Sequence, residues 1–113
     1  MAIDDKLTQR FRAATDGLVG IKEQKMMGGV CFMLNGNMLG GAHREKAGEG
    51  RFMFRVGKEL QAEALQRPGA RTMMQGQRRM TSIVFVDETA CDEAALRDWI
   101  SFTLTFVGSL PAK

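Results

Sequence analysis

Five glycines crowd residues 25–41, KMMGGVCFMLNGNMLGG, and such a run suits either a phosphate-binding loop or a hairpin. Phosphate loops space their glycines as Gly-x-Gly-x-x-Gly, or place one before Lys-Ser/Thr, directly ahead of a helix N-terminus. Neither spacing occurs here, and the apolar residues 30–34 that follow Gly28 and Gly29 predict a strand. We therefore expect the glycine pair to serve a bulge or a close backbone approach.

His43 and Arg44 are the only candidates for acid–base chemistry or for a small ligand in residues 40–50. A general base needs a substrate group or nucleophile in reach, and the sequence places only Glu45 beside the histidine. We expect His43 to lie on the surface of an exposed glycine-rich loop. The acidic pairs fall at predicted helix starts or turns, where carboxylates complement the helix dipole, so no catalytic residue is predicted: Asp4-Asp5, Asp87-Glu88 and Asp92-Glu93.

The soft donors are two cysteines and nine methionines. Thioethers make a copper site only if they converge, and here they fall singly on predicted strands, so we interpret them as adaptable core filler. Cys31 is expected to be buried in a strand. Cys91 is expected to be exposed at a helix start, with a modestly lowered pKa. The spacings of zinc sites are missing, and we expect no metal and no cofactor.

Basic residues concentrate in the middle third of the chain, although the net charge is only +3. If they converge, they would hold an anionic partner through phosphate contacts. The sequence has no tyrosine and lacks the paired aromatics of RNA-binding sheets, which favours a solvated basic face. The candidate anion contacts are Arg55, Lys58, Arg71, Arg78 and Arg79.

Hydrophobic periodicity predicts the elements that position these residues. Apolar residues recur every three or four positions from Ile3 to Leu18, which predicts a helix starting near Asp4 and Asp5. Asn35-Gly36 between apolar runs predicts a tight hairpin. Further expected elements are a strand at 51–56, a short helix at 58–67, a short strand at 72–74 and a strand near the sheet centre at 80–86.

The last segment predicts a long helix from Asp92 to about Val107, which either Thr89 or Asp92 can cap. Its apolar residues cover an arc of about 200°, which is wide for one packing neighbour. Either the helix is clasped between the sheet and the first helix, or it contributes to a subunit interface through Trp99, Phe102 and Phe106.

This element order predicts an α+β fold: an antiparallel β-sheet with N-terminal and C-terminal helices packed on it and a short helix between strands. We expect residues 1–113 to form one domain. The N-terminus does not read as a secretory signal, and no run is apolar enough for a membrane span, so we expect a cytoplasmic protein without membrane contacts.

Short motifs follow one another along the chain: Lys25-Met26-Met27-Gly28-Gly29, Cys31-Phe32-Met33-Leu34-Asn35-Gly36-Asn37-Met38, Phe54-Arg55-Val56-Gly57, Arg78-Arg79-Met80 and Leu96-Arg97-Asp98-Trp99. Together they resemble the N-terminal domain of the TfoX/Sxy family. The marker run of that family is Met-Phe-Gly-Gly, and Met27 stands here in the aromatic position. The motif residues we assign a structural role are Met26, Met27, Gly28, Gly29, Asn35 and Gly36.

The resemblance implies a small α+β domain that forms a homodimer and has no catalytic residues to carry over. Full-length members regulate natural competence by helping a transcription activator, and they have a C-terminal domain that we expect this chain to lack, so competence regulation transfers poorly. The leading hypothesis is a non-enzymatic protein-interaction domain, with a transcription activator as partner. The alternatives are a nucleic-acid-binding accessory protein with a basic face and a small-ligand-binding domain.

Overall fold

The computed structural model describes residues 3–26 and 28–113. In these residues six antiparallel strands form one sheet: β1 (Ile21–Met26), β2 (Gly29–Leu34), β3 (Asn37–Arg44), β4 (Gly50–Arg55), β5 (Ala70–Gln75) and β6 (Arg78–Asp87). Their order across the sheet is β1-β2-β3-β4-β6-β5, so β6 lies between β4 and β5.

In the part of the chain that the structure describes, three α-helices accompany the sheet: α1 (Asp5–Ala14), α2 (Gln61–Leu65) and α3 (Glu93–Val107); a short 3-10 helix covers Glu88–Ala90. Asp4 caps α1 by accepting a hydrogen bond from the Leu7 N–H at 2.9 Å. Asp92 caps α3 in the same way, through the Ala95 N–H at 2.8 Å. The predicted α+β fold is confirmed, although α2 is shorter than the expected 58–67.

All three helices contribute to one hydrophobic core on a single face of the sheet. Phe11 of α1 stacks on Phe32 with ring centroids 4.6 Å apart, and Trp99 of α3 stacks on Phe54 at 5.0 Å. The helices α1 and α3 contact each other as well as β3 and β4. The long helix is therefore packed against both the sheet and the first helix, one of the two arrangements that its wide apolar arc predicted.

The opposite side of the sheet, called here the outer face, has a second apolar cluster made only of strand residues. Cys31 and Met53 at its centre are completely buried. Met26, Met33, Met38 and Met80 pack against this cluster and are partly buried. The methionines thus act as core filler, but they converge on one face instead of lying singly along the sheet.

The predicted Asn-Gly hairpin joins β2 to β3, and Asn35 and Gly36 have φ values of 51° and 86°. The meander has one strand more than expected, because β1 pairs with β2 in a second hairpin. Gly28, with φ of 73°, lies at its turn. Met27 lies outside the described residues.

The expected exposed loop at residues 40–50 is wrong for its first half, because residues 40–44 belong to β3. A Cβ at Gly40 would collide with the Met53 carbonyl oxygen and lie 3.1 Å from Phe11 Cζ. Glycine is therefore required at positions 40 and 41 because neighbouring strands pack closely there, and not because the segment is a mobile loop. The strand predicted at 80–86 is paired on both sides, but it lies second from the edge because β5 closes the sheet.

Among the helices of the described residues, none is long and apolar enough to cross a membrane.

Gly40→Ala should lower the free energy of unfolding by about 1–3 kcal/mol, because the added methyl group has no space between two strands and a phenyl ring. Urea unfolding at pH 7 measures the loss. Gly76→Asn is the control: Gly76 has open space around its Cα and φ of 64°, which asparagine tolerates. Equal stability of the Gly40→Ala variant and the original protein would contradict the packing account.

Asp4→Asn should make stability less dependent on pH in the acid range. The Leu7 N–H and the Arg44 guanidinium, which donates to Asp4 Oδ2 at 2.8 Å, hold the Asp4 pKa below its usual value. The stabilisation is therefore present above the unfolded-state pKa and lost as pH falls through the lower folded-state pKa. Urea unfolding at several pH values should show the variant's deficit shrinking towards low pH. Asp16→Asn is the exposed control, and a pH-independent deficit at Asp4 would contradict this assignment.

Candidate binding site

A cleft of about 670 Å³ opens where the end of β4, the turn before α2, β6 and α3 meet. It is called here the basic cleft. Small ligands and peptide side chains occupy clefts of this volume in other proteins. Its main lining residues are Arg55, Lys58, Leu60, Thr81, Ser82 and Phe106.

The cleft exists because β4 leaves the sheet at this point. The N–H groups of Val56 and Gly57 both donate to the Ser82 carbonyl, at 2.9 and 3.2 Å, which turns the chain away from β6. Gly57 has φ of 81°, and a Cβ there would lie 2.7 Å from the Phe106 ring. Glycine is thus required both by the backbone conformation and by the aromatic wall.

The cleft carries uncompensated positive charge. Within residues 3–26 and 28–113, neither Arg55 nor Lys58 forms an ion pair within 4.0 Å. The Arg55 guanidinium lies 5.4 Å from the Phe106 ring centroid, a cation–π distance. Glu59 is the one carboxylate in the lining, against two cations and several hydroxyls. The cleft is therefore suited to an anionic group attached to an apolar body.

The other candidate anion contacts lie elsewhere. Arg71 pairs with Asp87 and its guanidinium lies 5.4 Å from the Phe85 ring centroid. Arg78 and Arg79 are exposed at the start of β6, beside the turn from β5. The structure therefore brings together two of the five predicted residues, Arg55 and Lys58.

Most of the remaining central arginines have partners within the fold. Arg44 pairs with Asp4 and Glu88, and Arg51 with Glu45 and Asp87. The guanidinium of Arg67 lies 4.3 Å from the Phe102 ring centroid. These residues tie loops and helices to the sheet, which leaves the basic cleft distinct from the rest of the basic surface.

The predicted interface residues of α3 differ in exposure. Trp99 is buried in the core. Phe102 and Phe106 are half-buried, and each has an arginine guanidinium over its ring. Phe106 alone of the three lines the basic cleft, so it joins a predicted interface residue to two predicted anion contacts.

The prediction of a surface histidine is wrong. His43 lies on β3 and is fully buried on the outer face. Its Nε2 is 2.8 Å from Glu45 Oε1, and Glu45 also accepts from Arg51 at 3.0 Å. Burial opposes ionisation of Glu45, but these two neighbours hold its pKa below the usual value. The His43 Nδ1 atom is buried and has no hydrogen-bond partner among the described residues.

Two glycines of the family motif, Gly29 and Gly36, pack against other parts of the chain. A Cβ at Gly29 would collide with the Ala42 carbonyl oxygen and lie 2.8 Å from His43 Cβ. At Gly36, the added atom would lie 2.8 Å from Lys113 Cβ. The Lys113 N–H donates to the Asn35 carbonyl at 2.9 Å, so the C-terminal residues rest on the hairpin. Met26 ends β1 and packs on the outer face.

The two cysteines are both buried. This confirms the expectation for Cys31 and corrects that for Cys91, which lies under α1 and α3 in the helical core. Burial raises the pKa of Cys91 to about 11, although the nearby Arg10 lowers it in part. Burial also raises the pKa of Cys31. The predicted lowering of the Cys91 pKa is wrong because Cys91, although it lies just before α3, is buried in the core.

Sequence comparison adds one finding to this geometry. Residues 13–107 match the sequence profile of the TfoX N-terminal domain, which covers most of the 113-residue chain. No curated protein and no solved structure matches the chain.

Both thiols should resist modification in the folded protein, because they are buried and stay protonated near neutral pH. At pH 8 a disulfide-exchange reagent such as DTNB should react slowly with the native protein. After unfolding in guanidinium, it should react rapidly with both thiols. Ser101→Cys, on the exposed side of α3, is the reactive control. Rapid labelling of Cys91 in the native protein, found by mass spectrometry, would contradict its burial.

Proposed function

The chain belongs to the TfoX N-terminal domain family, and on that premise we propose that it is a non-enzymatic domain whose basic cleft binds an acidic, partly apolar segment of a partner protein. A transcription activator is the proposed partner, in keeping with the regulatory role that the family resemblance implies. The proposed setting is transcriptional regulation rather than catalysis.

One observation carries this proposal: among the described residues Arg55 and Lys58 have no ion-pair partner and line the cleft with Phe106, while Arg44, Arg51 and Arg71 have carboxylate partners. A partner carboxylate between the two cations would gain charge-assisted hydrogen bonds. An adjacent apolar side chain would pack on Phe106 and Leu60. Charge and apolar surface in one cleft are the combination that recognises an amphipathic peptide.

The chemistry of the cleft supports binding over catalysis. Hydroxyl groups of Thr81 and Ser82 are present, but activating a hydroxyl nucleophile requires an adjacent base. Among the described residues, no histidine or carboxylate side chain is hydrogen-bonded to either hydroxyl. His43, the sole histidine, lines a different cavity on the outer face.

A nucleic-acid accessory role is the second candidate, and the exposed Arg78 and Arg79 favour it. Phosphate-driven binding would weaken steeply between about 50 and 200 mM salt.

Homodimerisation also remains a prediction of the family resemblance, and light scattering of the pure protein measures it directly.

A peptide titration tests the proposed function. The probe is a short peptide that alternates glutamate with leucine and phenylalanine, followed by amide NMR of the labelled protein. Shifts should concentrate at Gly57, Lys58 and Phe106. The double variant Arg55→Ala/Lys58→Ala should weaken binding by at least about tenfold, because each charge-assisted contact contributes about 1.5–3 kcal/mol.

The variant Arg78→Ala/Arg79→Ala removes the same charge from a different place, so it controls for net charge and should bind the peptide almost as the original protein does. A second control peptide replaces glutamate with lysine and should not bind. Equal weakening by both double variants, or equal binding of both peptides, would refute the assignment of the cleft.

A further inference from the structure

The basic cleft contains more positive charge than one carboxylate can neutralise. Among the described residues, Arg55 and Lys58 both line it without an ion-pair partner. Glu59 is exposed and lies farther than 4.0 Å from either cation's nitrogen atoms, so it neutralises neither directly. An ionised carboxylate has one negative charge, whereas a phosphate monoester has a charge of about −1.5 to −2 near neutral pH. The two cations therefore match a phosphate group more closely than a carboxylate.

Hydroxyl groups in the lining add further hydrogen-bond donors. Four lining residues have a hydroxyl group: Thr81, Ser82, Thr105 and Ser109. The Ser109 hydroxyl donates to the Phe106 carbonyl at 2.6 Å. The other three hydroxyls form no hydrogen bond with the residues that the structure describes. Each of them can donate to an anionic oxygen, and a phosphate monoester has three such oxygens where a carboxylate has two.

Ser82 is the hydroxyl residue that the backbone fixes beside the cations. Its carbonyl oxygen accepts hydrogen bonds from the N–H groups of Val56 and Gly57, at 2.9 and 3.2 Å. These two residues directly follow Arg55 and directly precede Lys58. A hydroxyl residue on a strand and two long, flexible cationic side chains therefore lie around one part of the cleft.

The apolar wall of the cleft favours a phosphate attached to a larger molecule. Phe106 and Leu60 are half-buried and line the same cleft, which has a volume of about 670 Å³. The Arg55 guanidinium lies 5.4 Å from the Phe106 ring centroid, so charge and apolar surface adjoin. A free phosphate ion would leave this apolar surface without a contact. A peptide with an apolar residue beside a phosphorylated one would cover both.

We infer that the acidic group recognised by the basic cleft is a phosphate, on a phosphorylated side chain that neighbours an apolar residue of the partner protein. The inference rests on the proposed function, because it names the acidic group of the same peptide in the same cleft. Arg55 can form two parallel hydrogen bonds with a phosphate, while Lys58 and the Ser82 hydroxyl donate to its remaining oxygen. Phosphorylation of the partner would then control its association with this domain.

Two peptides that differ in one residue test this inference. Both place leucine and phenylalanine around a central position, which is phosphoserine in one peptide and glutamate in the other. Calorimetry with the full chain at about pH 7.5 should show about tenfold tighter binding of the phosphoserine peptide, because it gains a further charge-assisted hydrogen bond.

The pH dependence separates the two acidic groups. The advantage of phosphoserine should shrink at about pH 5.5, since the second pKa of its phosphate is about 6, whereas the pKa of a glutamate side chain is about 4.3. The charged residues of the lining are Arg55, Lys58 and Glu59, and the single histidine lines a different cavity. An advantage of the same size at both pH values would contradict recognition of the phosphate dianion.

Variants locate the phosphate within the cleft. Ser82→Ala should weaken binding of the phosphoserine peptide by about threefold or more, because it removes one hydrogen-bond donor. Arg55→Ala/Lys58→Ala should abolish the preference for phosphoserine. Ser101→Ala is the matched control, since it removes an exposed hydroxyl of α3 outside the lining and should alter neither affinity. A preference that survives in Arg55→Ala/Lys58→Ala would overturn the inference, with circular dichroism confirming that the variant is folded.

Further ligands separate the possible sources of phosphate. Inorganic phosphate should bind at least about tenfold more weakly than the phosphoserine peptide, and equal affinity would overturn the inference. It would also be overturned by a short single-stranded oligonucleotide that binds more tightly than this peptide and requires Arg55 and Lys58, which would assign the cleft to nucleic acid. If the glutamate peptide binds in the cleft and phosphoserine adds no affinity, the inference fails while the proposed function stands. If neither peptide binds, the proposed function fails as well.

Discussion

The three helices that the structure describes pack on one face of this sheet, and within the same residues the apolar side chains of the other face are buried by strand residues. This constraint explains the composition of the outer face. Methionine adapts its shape to irregular gaps, and glycine lets neighbouring backbones approach closely. Met53 and Cys31 are fully buried in this packing of strand side chains. The same arrangement gathers the methionine and cysteine side chains of the strands on one face.

Ion pairs distinguish the basic cleft from the surface near β3 and β5. Arginines near the sheet edge and the first helix have carboxylate partners, whereas Arg55 and Lys58 have none among the described residues. They lie where β4 departs from β6 and Gly57 brings the chain against Phe106. Exposed ion pairs contribute little to stability, and unpaired cations beside an aromatic ring are more informative about binding. The basic cleft thus combines two cations that have no carboxylate partner among the described residues with an aromatic wall.

Local signals in the sequence predicted the elements that depend on local chemistry. Asn35-Gly36 specified its hairpin because few other pairs accept positive φ at successive positions, and Asp92 specified the start of α3 through its capping carboxylate. The strand β1 was missed because it is an edge strand with four exposed polar residues and no alternating pattern.

Sequence patterns mislead where distant strands meet. The glycines next to His43 are typical of an exposed loop, yet Gly40 and Gly41 are required by carbonyl groups of adjacent strands, and His43 is buried on β3. The meeting of Arg55 and Lys58 with Phe106 depends on contacts between segments far apart in the chain. Composition alone contains no information about such contacts, so the basic cleft is visible only in the fold.

The claim that the outer face is a second, self-covered core can be measured directly by methyl NMR. With methionine methyl groups labelled, a soluble paramagnetic agent broadens only the methyl signals that solvent reaches. The structure predicts that the signal of Met53 stays sharp while that of Met74, half exposed, broadens strongly. Comparable broadening of both signals would show an open, solvated face and would contradict the account.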